Sequence, residues 1–143
     1  MELPEKSFLG IGWSFPPSFD QKISSGHDGQ LVSMAAAAED IRQSLYILFH
    51  TEPGERIMVP DYGCALRQFL FETSDTTTNR HLQEVVELAI LNFEPRVQVN
   101  AVSINAGNAL DGVLFIEVDY TIRTINSRHN VVFPFYKTEA NLL

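Results

Sequence analysis

The chain is poor in cysteine, in basic residues and in long apolar runs. One cysteine, Cys64, stands among 143 residues. The chain therefore cannot close an intrachain disulfide or build a Cys-rich zinc site. The longest apolar runs, Met34–Ala38 and Leu45–Phe49, are five residues each. A membrane helix needs about 20, so a soluble chain without membrane insertion is expected. Ten Lys and Arg face 18 Asp and Glu, a net charge of −8. The deficit is spread, with 5 basic against 10 acidic groups in residues 1–72 and 5 against 8 in residues 73–143. Nucleic acid and anionic membranes both call for a positive surface, so neither is expected as a partner. The opening Met-Glu-Leu-Pro-Glu-Lys lacks the basic and apolar regions of a secretory signal, which predicts cytoplasmic synthesis.

What is present is a globular balance, 45% hydrophobic and 20% charged. That length and balance predict one domain over residues 1–143, with 1–7 and 137–143 as flexible ends. Gly10 to Phe19 reads as a short extended piece stopped by Pro16 and Pro17. Trp13, Phe15 and Phe19 alternate to one side. Their expected role is to pin the segment to the core, and a partner-facing aromatic patch is the other reading.

Ala37, Ile41, Leu45 and Leu48 recur at helical spacing, predicting a helix from Ser33, as N-cap, to about Thr51. Pro53-Gly54 ends it. Ile57 and Val59 suggest a short extended segment before a turn at Pro60–Gly63. Leu66, Phe69 and Leu70 suggest a short helix over Cys64–Phe71. Residues 72–78 read as a polar loop. Leu82, Val85, Val86, Ala89, Ile90 and Phe93 form the stripe of a second helix over Asn79–Phe93, capped by Thr77 or Thr78 and ended by Pro95.

The period then changes to two. Val97 and Val99 alternate, and Val102 and Ile104 continue out of phase, which predicts a β-bulge near Ala101. Ala106–Gly112 reads as a turn. Leu114, Ile116, Val118, Tyr120 and Ile122 form one face of a long strand, and Asn126–His129 a tight connection. Val131, Phe133 and Phe135 close the sheet, with Pro134 marking an edge strand. The fold class is α+β: an N-terminal extended segment and helices, then an antiparallel three-stranded meander.

Enzyme chemistry has little support. Glu39, Asp40, Glu52, Glu55, Asp61 and Glu94 lie near apolar segments, but glycoside hydrolysis needs two carboxyls at a defined separation with divergent pKa values. His27, His50, His81 and His129 include no i, i+4 pair, so no metal is expected. Cys64 could have a lowered pKa at a helix start, yet its apolar neighbours favour a packed thiol. Gly10-x-Gly12 lacks the third glycine of a dinucleotide site, and no cofactor is expected. Two charged corners remain, Pro53-Gly54-Glu55-Arg56 and Glu94-Pro95-Arg96. The second reads either as a helix-end ion pair or as a preset hook for a partner.

Three ordered blocks resemble one family. They are Gly10 to Phe19 with Trp13, Phe15, Pro16 and Pro17; Asp40–Leu48 through Pro53-Gly54-Glu55-Arg56, Met58, Pro60 and Tyr62-Gly63; and Glu94-Pro95-Arg96-Val97. Over about residues 8–136 the chain is similar to the baseplate wedge and sheath-initiator proteins of contractile tails. That family includes phage baseplate assembly protein W and its counterpart in the baseplate of the type VI secretion system. The resemblance implies a domain like the handshake domain of sheath subunits and a non-enzymatic structural role in the baseplate. It implies binding of the wedge core bundle through Glu94, Pro95 and Arg96, with several copies around a six-fold ring; alone, the chain is expected to be a monomer. It implies a sheet that takes up strands of the sheath protein by β-augmentation. The edge strand with Val131, Val132, Phe133, Phe135 and Tyr136 is the expected sheath-facing site. The aromatic, proline and glycine residues of the first two blocks are expected to be structural. An older lysozyme-like label in the family keeps a peptidoglycan hydrolase with a carboxylate pair as the rival reading.

Overall fold

A computed structural model describes residues 7–19, 32–107 and 112–137 of the chain. The chain divides into two compact units, one ending at Ser44 and the other starting at Leu45. The expected flexible ends lie, apart from Ser7 and Lys137, outside the described residues, as does His27.

In the first unit a 3₁₀ turn, Ser7–Leu9, leads into strand β1, Ile11–Trp13. β1 pairs antiparallel with β2, Met34–Ala36, in the register Ile11 to Ala36 and Trp13 to Met34. Helix α1, Ala37–His50, therefore starts four residues later than Ser33. The residues expected to form its first turn are spent on the β2 ladder, so Ser33 is not its cap. Glu39 accepts from Arg42 at 3.0 and 2.7 Å and from Gln43 at 2.9 Å, and Gln43 Oε1 accepts the Phe15 N–H at 2.8 Å. Those bonds hold the Glu39 carboxyl below its ordinary range. Leu9 and Ile41 are buried, whereas Trp13, Phe15 and Phe19 are 67%, 45% and 65% exposed. The core role expected for these three aromatics is thus not the one they have.

The second unit begins inside α1 and contains helix α2, Thr76–Phe93, and strands β3, Val97–Ala106, β4, Val113–Ile122, and β5, Ser127–Tyr136. The strands form a meander in the order β3-β4-β5, the expected α+β architecture. The alternation predicted for β4 holds along its length: Leu114, Ile116, Val118, Tyr120 and Ile122 are all buried. Full burial of such side chains contributes roughly 1.5–3 kcal/mol each. The β3–β4 register slips between Val99 and Ala101, so the predicted bulge is present, with Asn100 as the extra residue. On α2, Leu82, Val86, Ala89 and Ile90 are buried, and the helix lies against β3. Phe49 meets Phe133 edge to face at 4.5 Å, tying the end of α1 to β5.

Several local expectations are corrected. Ile57 to Val59 form no strand; Pro60 and the turns around it leave Ile57 94% and Met58 91% exposed. Only Arg67–Phe69 of the short helix forms, as a 3₁₀ turn. The β4–β5 connection is Arg123–Asn126 rather than Asn126–His129, with Asn126 at φ 49°, a conformation asparagine tolerates. Of the Ala106–Gly112 turn, residues 108–111 lie outside the described residues; β3 extends through Ala106.

α2 is capped by Asp75 rather than Thr77 or Thr78. The Asp75 carboxylate accepts the Thr78 N–H at 2.7 Å. That bond holds its carboxyl below the ordinary value of 3.8. A lowered folded pKa gives stability that is present above about pH 4 and fades as the pH falls through the folded value. Asp75→Asn keeps an acceptor at the cap but loses the charge. Its melting temperature is expected to lie below wild type at pH 7 and to converge with it as the pH falls through the folded value, read by circular dichroism.

Candidate functional site

The Glu94 corner is built by its own sequence. Pro95 keeps Glu94 out of helical geometry. Glu94 accordingly sits at φ −130°, ψ 75° and closes α2 by donating its N–H to the Ile90 carbonyl at 2.9 Å. Its side chain turns inward and is only 3% exposed, the one buried charged side chain among the described residues. Arg96 answers it with two bonds, from Nε to Oε1 and from a terminal nitrogen to Oε2, each 2.6 Å. Such a fork is a charge-assisted, bidentate pair. The Arg96 side chain is 30% exposed, so its outer face reaches the surface. The chain then enters β3, where the Arg96 carbonyl accepts the Arg123 N–H at 3.0 Å.

The second block folds onto the same corner. Tyr62 packs against Phe93, centroids 5.2 Å apart, and the Arg56 guanidinium lies 3.9 Å over the Tyr62 ring. Burial pushes the Tyr62 hydroxyl up, Arg56 opposes that, and Glu94 adds to it. Arg56, Tyr62, Phe93, Glu94 and Arg96 thus form one continuous array of rings and charges. In the sequence the two blocks stand apart; the Tyr62–Phe93 contact joining them carries no local signal.

Pro53, Gly54 and Glu55 serve the loop that holds Tyr62. Gly54 donates to the Pro60 carbonyl at 2.6 Å, and Glu55 accepts the Glu52 N–H at 3.1 Å. Cys64 donates to the Thr51 carbonyl at 2.9 Å and closes the base. Gly63 passes close to this backbone at φ 136°; a Cβ there would stand 2.8 Å from the Glu52 carbonyl carbon and 2.9 Å from the Pro53 nitrogen. Cys64 is buried beneath it, and burial pushes its thiol up to about 12. The native chain is therefore expected to resist Ellman's reagent, with one thiol released only on unfolding. Rapid native labelling would show that the loop opens.

Of the remaining candidates, His50 and Glu52 line one pocket. Glu52 accepts the Arg67 N–H at 3.0 Å. His50 stacks on Tyr46, His81 meets the edge of Phe69, and His129 stacks on Tyr120. Among the described residues no cluster of His, Cys, Asp and Glu is suited to a metal ion, and no helix is long and apolar enough to cross a membrane. A cleft of about 310 Å³ runs between α2 and β3, lined by Glu87, Leu91, Val97, Val99 and Arg123 among others.

The two outer strands of the sheet differ. Lys137 donates to the Gly112 carbonyl, continuing the β4–β5 register, so the odd-numbered residues of β5 bond to β4. The backbone groups of Arg128, Asn130, Val132, Pro134 and Tyr136 then point to the open edge, and Pro134 has no N–H to lose there. None of these outward groups has a hydrogen-bond partner among the described residues. On β3 the same parity argument turns Val97 and Val102 outward. Gln83 Nε2 donates to the Val102 carbonyl at 2.9 Å, and Arg123 Nε to the Val97 carbonyl at 3.2 Å. β3 is thus partly covered and β5 is open. Val131, Val132, Phe133, Phe135 and Tyr136 all lie on β5, with Phe133 buried and Val132 and Tyr136 exposed.

Solved contractile particles contain this fold. The six-fold symmetrised baseplate of the anti-feeding prophage has a chain with 28% identity and a TM-score of 0.66, covering 95% of this chain and 92% of that one. A chain of the contracted pyocin R2 baseplate shares the fold at 19% identity and a TM-score of 0.52, over 78% and 96% of the two chains. A Geobacter sulfurreducens protein with a provisional tail-lysozyme label has 37% identity and a TM-score of 0.69, over 74% and 96%. The architecture is that of a contractile-tail baseplate subunit. The family described as baseplate wedge protein gp25 matches residues 35–127, and the chain belongs to that family. It is 33% identical to baseplate wedge protein gp25 of Enterobacteria phage T4 over 73 residues, 51% of this chain and 55% of that protein. The chain thus spans about half the length of that curated relative.

Proposed function

We propose that the protein is a non-enzymatic baseplate subunit that joins the wedge to the first sheath ring and starts sheath assembly by lending the β5 edge to extended strands of the sheath protein. The observation carrying this reading is the contrast between the two edges: β3 has carbonyls already engaged by Gln83 and Arg123, whereas the outward groups of β5 have no partner among the described residues. An open edge is a template for a further strand. The Glu94-Pro95-Arg96 corner, with Arg56 and Tyr62 beside it, supplies a rigid charged surface for the wedge core bundle. Several copies around a ring would give each sheath strand its own edge.

The lysozyme-like alternative has little support in the site. The carboxyls of Glu39, Asp75 and Asp119 are each displaced downward, by Arg42, Thr78 and Arg128 respectively. A hydrolase needs one carboxyl displaced upward to serve as proton donor. Glu94 has both oxygens committed to Arg96. Affinity purification from cells making the whole tail tests the reading. Recovery of sheath and wedge proteins, with no peptidoglycan cleavage between pH 4 and 8, is expected. Cleavage abolished by a Glu→Gln change would contradict it.

A further inference from the structure

Beside the open edge lies a pocket that the Glu-Pro-Arg corner does not use. It has a volume of about 210 Å³ and is lined by Phe49, His50, Glu52, Leu66, Ile116 and the consecutive residues Phe133–Tyr136. Four consecutive β5 residues in its wall place it along the β5 backbone. Its walls are mainly aromatic and aliphatic. Its volume is below the roughly 300–1,000 Å³ of small-molecule sites, a size suited to one side chain.

A strand added to β5 would lie about 4.8 Å away and turn every second side chain to the inner face of the sheet. Opposite Phe133 and Phe135 such a side chain meets this pocket. The electrostatics constrain the visitor further. Residues 127–137 contain Arg128 and Lys137 and no carboxylate, whereas Glu52 stands on the pocket wall and Glu117 on β4 accepts from Asn130 at 2.6 Å. Arg128 is matched by Asp119, whereas the Lys137 Nζ donates to the neutral carbonyl of Glu72 at 2.6 Å. The cation without a carboxylate partner among the described residues thus stands at the pocket end of the strand.

We propose that this pocket seats one large apolar side chain of an extended partner segment added along β5, with a carboxylate of that segment meeting Lys137, and so fixes the register of that strand. The proposal rests on the β5 reading above and adds to it a side-chain specificity. Pro134 has the same consequence for register, because it removes one outward donor beside the pocket and leaves the N–H groups of Arg128, Asn130 and Val132 as a continuous set.

The test uses the full chain and the purified sheath protein of the same tail as the probe. His50 is exposed on the pocket wall, so His50→Trp fills the mouth without entering the core; His50→Arg is the substitute if the tryptophan variant melts early. Val132→Pro removes one outward donor and no β4 bond. The expected result is wild-type melting for the His50 variant with sheath capture weakened at least tenfold, and capture lost in Val132→Pro. Capture by the His50 variants equal to wild type, with Val132→Pro still defective, overturns the pocket and leaves the edge reading intact. Capture by Val132→Pro equal to wild type, or none by wild type, overturns both.

Discussion

Arg96→Ala is expected to destabilise the protein by about 3 kcal/mol, measured by urea unfolding. Removing one partner of a buried pair costs about 3–5 kcal/mol, because the other charge is left without compensation. Glu94 is 3% exposed and has both oxygens on Arg96, so it fits that case. The lower end applies because Arg96 is 30% exposed and water can reach the vacated place. A simple surface ion pair would cost at most about 1 kcal/mol. Replacing both residues by methionine should recover most of the loss, since apolar groups of similar size often substitute for a buried pair at little cost. The double variant then separates two roles. A stable double variant that no longer enters baseplates shows that the charges meet the wedge; normal incorporation shows that the pair only braces the end of α2.

Gly63→Ala should have an effect of similar size or larger, about 4 kcal/mol. Backbone at φ 136° is strained for any residue with a Cβ, a cost of roughly 1–3 kcal/mol. The added carbon also meets the backbone of Glu52 and Pro53, which cannot swing away as a side-chain tip could. Overpacking of that kind adds roughly 1–3 kcal/mol. Gly54→Ala is the control. Its φ is 94°, but nothing lies within 4 Å of the added carbon, so about 1–2 kcal/mol is expected. Equal effects at the two positions would mean that the loop relaxes freely around Gly63.

The architecture was legible where periodicity is long and one-sided. The α2 stripe, the β4 alternation and the phase slip at Asn100 each repeat over several residues, and each is present. Signals of three or four residues were weaker. Met34–Ala36 read as the start of α1 because alanine favours helix, but β1 supplies a ladder partner that local propensity cannot register. Ile57 and Val59 read as a strand, yet no strand among the described residues pairs with them. Trp13, Phe15 and Phe19 read as core because aromatics usually are, and they are exposed. Of the site, the Glu94–Arg96 pair was visible because Pro95 fixes its geometry locally. The Arg56–Tyr62–Phe93 stack was not, since contact across 31 residues leaves no trace in spacing. The contrast between the edges depends on Gln83 and Arg123 reaching the β3 carbonyls, a long-range fact.

The most direct test of the β5 edge is electron microscopy of tails carrying Val132→Pro, with Ile104→Pro as the corresponding change on β3. Each replaces a residue that lies outside the buried core and whose backbone points away from β4, so neither removes a bond of the sheet. Baseplates containing the protein but lacking polymerised sheath in Val132→Pro, with normal sheath in Ile104→Pro, is the predicted result. Sheath of normal length on Val132→Pro baseplates would contradict it.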